Sequence, residues 1–181
     1  MEEAGLPKGI LQVVNGDKEA VDALLSRPQV AAVSFVGSTP VAEYIYQTGT
    51  AQGKRVQALG GAKNHMVVMP DADLETTARR IAWGKFTNAG QTCIAPDYVL
   101  VDADTENRLV PLLRDAVKDM YGAHPATSAS YGRIVNDRHF ARLEALIASG
   151  TVAVGGQTDA AERYIAPTVL TGVDTDSAIM Q

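Results

Sequence analysis

Cysteine is almost absent from this chain of 181 residues; Cys93 is the only one. A single thiol excludes an intramolecular disulfide and any metal site built from several cysteines. Aromatic residues are also few and scattered, with three Phe, six Tyr and one Trp, so no platform for stacking bases is expected. Lys and Arg number 16 against 21 Asp and Glu, a formal net charge of −5, and they form no cluster. That balance argues against a nucleic-acid surface. No apolar run approaches the ~18 residues of a membrane span. The first residues, Met1-Glu2-Glu3-Ala4-Gly5, lack the basic-then-apolar pattern of a signal peptide. The expectations are therefore no metal, no nucleic-acid partner, no membrane and, by default, a cytoplasmic location. Both ends look abrupt. An apolar segment arrives within ten residues, and the chain stops at Ala178-Ile179-Met180-Gln181. A compact terminus and a piece of a longer chain both fit that pattern.

What is present is an alternation of strands and helices. Apolar segments at 10–14, 30–36, 54–59 and 66–69 read as strands, and the nearly all-apolar 30–36 suits a strand covered on both faces. Between them lie helices at about 18–26, capped by Asp17, and at about 40–52, capped by Ser38 or Thr39 with Pro40 in its first turn. Such alternation predicts parallel βαβ units. A hinge is expected at Pro70–Asp73. Asp73 caps a helix running to about 86, followed by a loop that holds Cys93 and a strand at 98–101. An amphipathic helix over 105–120 carries Leu109, Leu112, Leu113, Val117 and Met120 on one face. Residues 121–131 read as loop, 136–148 as helix, and 151–154 and 165–170 as strands. The fold class is α/β.

Three places could carry chemistry. In Phe35-Val36-Gly37-Ser38-Thr39-Pro40 a strand runs into a helix N-terminus, where free N–H groups and the helix dipole suit a pyrophosphate. An ordinary strand-to-helix turn reads the same way. Leu59-Gly60-Gly61 allows a flat ligand to approach the backbone, or simply ends a strand. On residue type alone Cys93 is core filler. Its neighbours Asn88, Gly90, Gln91, Thr92 and Pro96 are loop-formers, however, and a thiol on such a loop is reachable, with N–H groups able to face an oxyanion. Nothing in the spacing of His65, His124 or His139 ties them to Cys93, and each reads as a surface or satisfied core residue. Glu43, Glu75 and Asp97 are the acidic candidates for a base. Glu43 reads as a solvated helix face, Glu75 as a first-turn acid and Asp97 as a strand-end residue.

Taken in order, Phe35-Val36-Gly37-Ser38-Thr39, Leu59-Gly60-Gly61 and Gly90-Gln91-Thr92-Cys93 resemble the aldehyde dehydrogenase superfamily over nearly the whole chain, which corresponds to the middle portion of a full-length member. The resemblance implies a partial Rossmann-like parallel sheet with flanking helices, joined to part of an α/β catalytic domain. Residues 1–71 would be the C-terminal half of the NAD(P)-binding domain, and 72–181 the N-terminal part of the Cys-bearing domain. It implies NAD or NADP as cofactor, a small aldehyde as substrate and a homo-oligomer. Cys93 would be the nucleophile, forming a thiohemiacetal and then a thioester, with its own N–H as half of the oxyanion hole. Gly37 and Ser38 would contact the pyrophosphate, Val41 the adenine, and Leu59 and Gly60 the nicotinamide. Hydrolytic members carry Glu-Leu-Gly-Gly where this chain has Ala58-Leu59-Gly60-Gly61. The stretch 35–73 looks most like CoA-acylating methylmalonate-semialdehyde dehydrogenases, which makes coenzyme A a possible acyl acceptor. Residues 86–101 and 131–181 look more like class-3-type members. The family's oxyanion-hole Asn, ribose-binding Lys and nicotinamide-ribose Glu have no counterpart here. The alternatives are a non-catalytic or chimeric scaffold pairing with a second copy, and a cofactor-free thiol esterase or acyl carrier using Cys93.

Overall fold

A computed structural model describes residues 2–181. They form two compact units, divided between Gly61 and Ala62.

In the first unit, α1 (Lys18–Ser26) starts at Asp17, whose carboxylate accepts the Glu19 N–H at 3.2 Å. β1 (Ala32–Val36) and β2 (Arg55–Leu59) pair in parallel from Ala32↔Arg55 to Val36↔Leu59. α2 (Thr39–Ala51) connects them and packs on both. Leu25 of α1 and Ile45 of α2 are each 1% exposed and fill the small core. Truncating either to alanine removes about 2–5 kcal/mol. Lys54, just before β2, is buried, and its ammonium donates to the carbonyls of Arg27 (2.5 Å) and Val30 (2.7 Å). That one side chain ties the α1–β1 turn to the start of β2.

The expected strand at 10–14 is not formed. Ile10, Leu11, Val13 and Val14 are 60–81% exposed, and their backbone enters no ladder. Alternating apolar residues supply strand propensity, but a strand exists only where a neighbour pairs with it.

In the second unit, β3 (His65–Val68) and β4 (Tyr98–Val101) pair in parallel from His65↔Tyr98 to Val68↔Val101. Because β3 pairs with β4, it packs within this unit, and the division falls ten residues before the 71/72 boundary read from the sequence. Between the two strands runs α3 (Leu74–Phe86), capped by Asp73, which accepts the Thr76 N–H at 3.1 Å. α4 (Ala103–Tyr121) follows β4, with Asp102 accepting the amides of Asp104 and Thr105. The two helices bury Ala78, Ile81, Ala82 and Phe86 against Leu109, Leu113, Ala116 and Val117, in each case residues three and four apart on one face. Leu112 and Met120, expected on that face of α4, are only partly buried at its margin.

Beyond α4, Tyr121, Tyr131 and Tyr164 stack edge to face, with ring centres 5.0 and 6.0 Å apart. Burial pushes the Tyr131 hydroxyl well above its ordinary range, and that hydroxyl donates to the Ile165 carbonyl. α5 (Asp137–Leu146) is capped by Asn136. β5 (Thr151–Val154) pairs antiparallel with β8 (Val169–Thr171), and β6 (Thr158–Asp159) with β7 (Tyr164–Ile165). The expected single strand at 165–170 is thus two short ones. Pro167 lies between them and has no N–H to offer a ladder.

Candidate functional site

Parallel pairing of β1 and β2 brings their C-terminal ends side by side, and the residues singled out from the sequence gather there. Gly37 follows β1, and its N–H donates to the Leu59 carbonyl at 3.0 Å. Ser38 occupies the N-cap of α2, but its side chain caps nothing. The hydroxyl of Thr39 instead turns back and accepts the Gly61 N–H at 3.0 Å. Gly60 passes so close to Thr39 that a Cβ there would lie 2.8 Å from the Thr39 hydroxyl oxygen, closer than a real Cβ tolerates. Val41 and Leu59 are exposed at 44% and 49%. Among the described residues, the first-turn N–H groups of Thr39 and Val41 have no acceptor. Two free amides at the N-terminus of a 13-residue helix, beside a glycine that clears the approach, fit an anionic group such as a pyrophosphate.

This unit also holds an open depression of about 410 Å³ over Ala32, Val33, Ser34, Arg55, Val56 and Gln57. It lies toward the other ends of the same strands and brings no candidate residue together.

Cys93 belongs to the second unit, on the connection from α3 to β4. Phe86 buries the end of α3, and the Thr87 hydroxyl donates back to the Trp83 carbonyl at 2.6 Å. The chain then reverses through three residues of positive φ, namely Asn88 (53°), Ala89 (53°) and Gly90 (79°). Glycine adopts this region freely, whereas an alanine there costs about 1–2 kcal/mol. Gln91 holds the reversal. Its amide donates to the carbonyls of Asn88 (3.0 Å) and Arg133 (2.9 Å), and its oxygen accepts the Val135 N–H (2.9 Å).

Next comes a turn, Thr92–Ala95, closed by the Ala95 N–H on the Thr92 carbonyl at 3.0 Å. Cys93 is its second residue. The N–H of a trans peptide points opposite to its C=O. Since the Thr92 carbonyl points into the turn, the Cys93 N–H points out of it, and it has no acceptor among the described residues. Cys93 itself is exposed, and its sulfur takes part in no hydrogen bond among the described residues. A thiol and a free N–H on one exposed residue is an arrangement that can attack a carbonyl and receive the resulting oxyanion.

Asn64, on the residue before β3, reaches the same turn. Its side-chain amide donates to the carbonyls of Cys93 (2.7 Å) and Ala95 (3.0 Å). Asp97 accepts the Asn64 N–H at 2.8 Å and pairs with Lys85 at 3.1 Å. Both Asp97 oxygens are therefore engaged, which suits a structural strand-end acid better than a base. Glu43 accepts from Gln47 on the open face of α2, and Glu75 is exposed in the first turn of α3. His65 stands beside Tyr98, with ring centres 6.1 Å apart, while His124 and His139 lie in a loop and on α5. None hydrogen-bonds to Cys93. Among the described residues, no group of three or more His, Cys, Asp or Glu is arranged to hold a metal ion.

Asn64, the bridging role of Gln91 and the turn-back of Thr39 were not read from the sequence. Asn64 acts on a partner 29 residues away, a separation that carries no periodic signal.

Comparison with known proteins agrees with the motifs. The family model "Aldehyde dehydrogenase family" matches residues 1–181. Aldehyde dehydrogenase family 3 member A2 of Rattus norvegicus is 40% identical over 176 residues, covering 97% of this chain and 36% of that protein. The dimeric NADP-preferring aldehyde dehydrogenase of Canis lupus familiaris is 42% identical over 176 residues, covering 97% and 39%. Among solved structures, the substrate-bound AldH of Staphylococcus aureus superposes with a TM-score of 0.89 at 39% identity over 94% of this chain and 37% of its own. A putative methylmalonate-semialdehyde dehydrogenase from Sinorhizobium meliloti, complexed with NAD, gives 0.85 at 40% identity over 99% and 39%. Relatives of both kinds suggested by the motifs thus match along nearly the whole chain, which spans less than two-fifths of their length. The ordered motifs, the α/β units and these likenesses agree that the chain belongs to the aldehyde dehydrogenase family.

Proposed function

We propose that this chain carries the nucleophile and part of the cofactor grip of an NAD(P)-dependent aldehyde dehydrogenase, with Cys93 as the attacking residue. The observation that carries the reading is the exposed Cys93 at the second position of a turn, its N–H free and directed outward. The thiolate adds to the aldehyde carbon and forms a C–S bond, and the oxygen that gains charge is received by the N–H of the same residue. Gly37, Ser38 and the α2 N-terminus would hold the pyrophosphate, Val41 the adenine, and Leu59 and Gly60 the nicotinamide. NAD⁺ or NADP⁺ held by them would supply the two-electron acceptor for a hydride. The thioester then remains on Cys93 until an acyl acceptor takes it and restores the thiol.

That acceptor is coenzyme A in preference to water. No carboxylate occurs between Glu43 and Asp71, so Ala58 and its neighbours offer no base to activate water. Losing a general base slows the step by roughly 10²–10⁴-fold. A homo-oligomer and a cytoplasmic setting complete the proposal. No described helix is long and apolar enough to cross a membrane.

The test follows NADH at 340 nm with a small aldehyde, with and without coenzyme A, in the wild-type chain and in Cys93→Ser. The reading expects formation that needs Cys93 and rises with coenzyme A. Equal rates in the two proteins would remove Cys93 as nucleophile, and equal steady-state rates with and without coenzyme A would remove it as acceptor.

A further inference from the structure

We infer that Asn64 is the positioning residue for the oxyanion-binding N–H of Cys93. This rests on the reading of Cys93 as the nucleophile and adds a specific claim about how its amide is aimed. A four-residue turn joins its first carbonyl to its fourth N–H and leaves the other carbonyls to find partners elsewhere. In Thr92–Ala95 those are the carbonyls of Cys93, Ile94 and Ala95, and the Asn64 amide spends both of its N–H bonds on two of them, Cys93 and Ala95. One rigid planar group thereby spans the turn from its second residue to its last.

Asn64 is itself fixed. Its N–H donates to Asp97, and its carbonyl accepts the N–H groups of Asp97 (2.8 Å) and Tyr98 (3.3 Å). Lys85 of α3 holds the other oxygen of Asp97. The anchor is thus tied to β4 directly and to α3 through one ion pair. On the other side of Cys93, Gln91 locks the preceding reversal to Arg133 and Val135.

The Cys93 N–H lies in the same peptide plane as the Thr92 carbonyl, which the Ala95 N–H holds. By clamping the carbonyls of Cys93 and Ala95, Asn64 fixes the far side of that turn, so that the Thr92–Cys93 plane and its N–H cannot tilt. A second consequence is electrostatic. With its oxygen covered by an N–H donor, the Cys93 carbonyl presents less negative charge to a thiolate on the same residue. Asn64 touches neither substrate nor sulfur and acts only through this peptide.

The claim separates two reactions of one thiol. Alkylation by iodoacetamide forms a C–S bond and expels iodide, and it needs no oxyanion donor. Acylation by p-nitrophenyl acetate forms a C–S bond through a tetrahedral oxyanion and expels nitrophenolate, so it does need one. Asn64→Asp keeps the shape and replaces both donated hydrogens by a carboxylate facing two carbonyls. Acylation of Cys93 is expected to fall about 10²-fold, the loss typical of removing an oxyanion donor. Both reactions are compared at a pH high enough to ionise the thiol fully in each protein, which removes the effect of the new carboxylate on thiolate formation. Alkylation is then expected to change by less than about threefold, which also shows that the thiol loop is intact. Asn64→Ser retains one donor and should recover part of the acylation rate. If the aspartate variant does not fold, by circular dichroism, the serine variant carries the same comparison against wild type. Equal losses in both reactions, or no loss in acylation, would overturn the role of Asn64. Acylation that is as fast in Cys93→Ser as in wild type would instead overturn the nucleophile reading on which it rests.

Discussion

Gln91 holds the strained approach to Cys93, and its removal has a size that follows from its contacts. Gln91→Ala deletes three hydrogen bonds, those to the carbonyls of Asn88 and Arg133 and the one from the Val135 N–H. At about 1 kcal/mol each the loss is about 3 kcal/mol. Two terms oppose it. Gln91 is only half-buried, so water reaches some of the freed groups. The loop can also relax Asn88 and Ala89 out of the left-handed region, recovering about 1 kcal/mol. The net destabilisation is therefore about 1–2 kcal/mol, which for a chain of this size lowers the melting temperature by about 3–6 °C. Urea unfolding followed at 222 nm measures it, and limited proteolysis locates it. The expected result is a lower urea midpoint with new cleavage between Thr87 and Cys93. A loss below about 0.5 kcal/mol with no new cleavage would show that the reversal is held by something other than Gln91.

Two further outcomes follow. Lys54→Met keeps the buried stem and strips the Arg27 and Val30 carbonyls of their donor, so the first unit should lose about 2 kcal/mol in thermal or urea unfolding. Unchanged stability would mean that water replaces the ammonium. Asp73 and Asp102 are held below their ordinary value of 3.8, Asp73 chiefly by the Thr76 amide and Asp102 chiefly by Thr105. Lowered carboxylate values stabilise the fold above the ordinary value, and the benefit disappears as pH falls through the depressed ones. The urea midpoint of the second unit should therefore drop below about pH 4, and Asp73→Asn with Asp102→Asn should flatten that drop. An identical acid profile in the double variant would contradict the assignment.

What could be read from the sequence was mostly what is local. Asp17 and Asp73 cap helices because their carboxylates reach amides two or three residues on, and apolar spacing marked the packed faces of α3 and α4. The resemblance singled out Gly37, Ser38, Leu59 and Gly60, and the structure brings them to one edge because β1 and β2 pair in parallel. Pairing was harder to read. Ile10–Val14 has the residues of a strand but no neighbour, and Pro167 divides a run that is apolar enough to be continuous. Ser38 reads as a cap, yet the capping bond is absent and Thr39 spends its hydroxyl on Gly61. The support around Cys93 was the least legible part, because Asn64, Arg133 and Val135 reach it across 29 to 44 residues. Such bonds depend on how β3, β4 and the loop before α5 pack, which no local pattern encodes.

The central claim is that Cys93 forms the covalent acyl link. Its most direct test is to trap the chain with p-nitrophenyl acetate, digest it and locate the acetyl group by peptide mass. The account predicts one acetyl group on the peptide that contains Cys93, lost on treatment with hydroxylamine and absent in Cys93→Ser. Acetylation confined to lysines, or unchanged in Cys93→Ser, would contradict it.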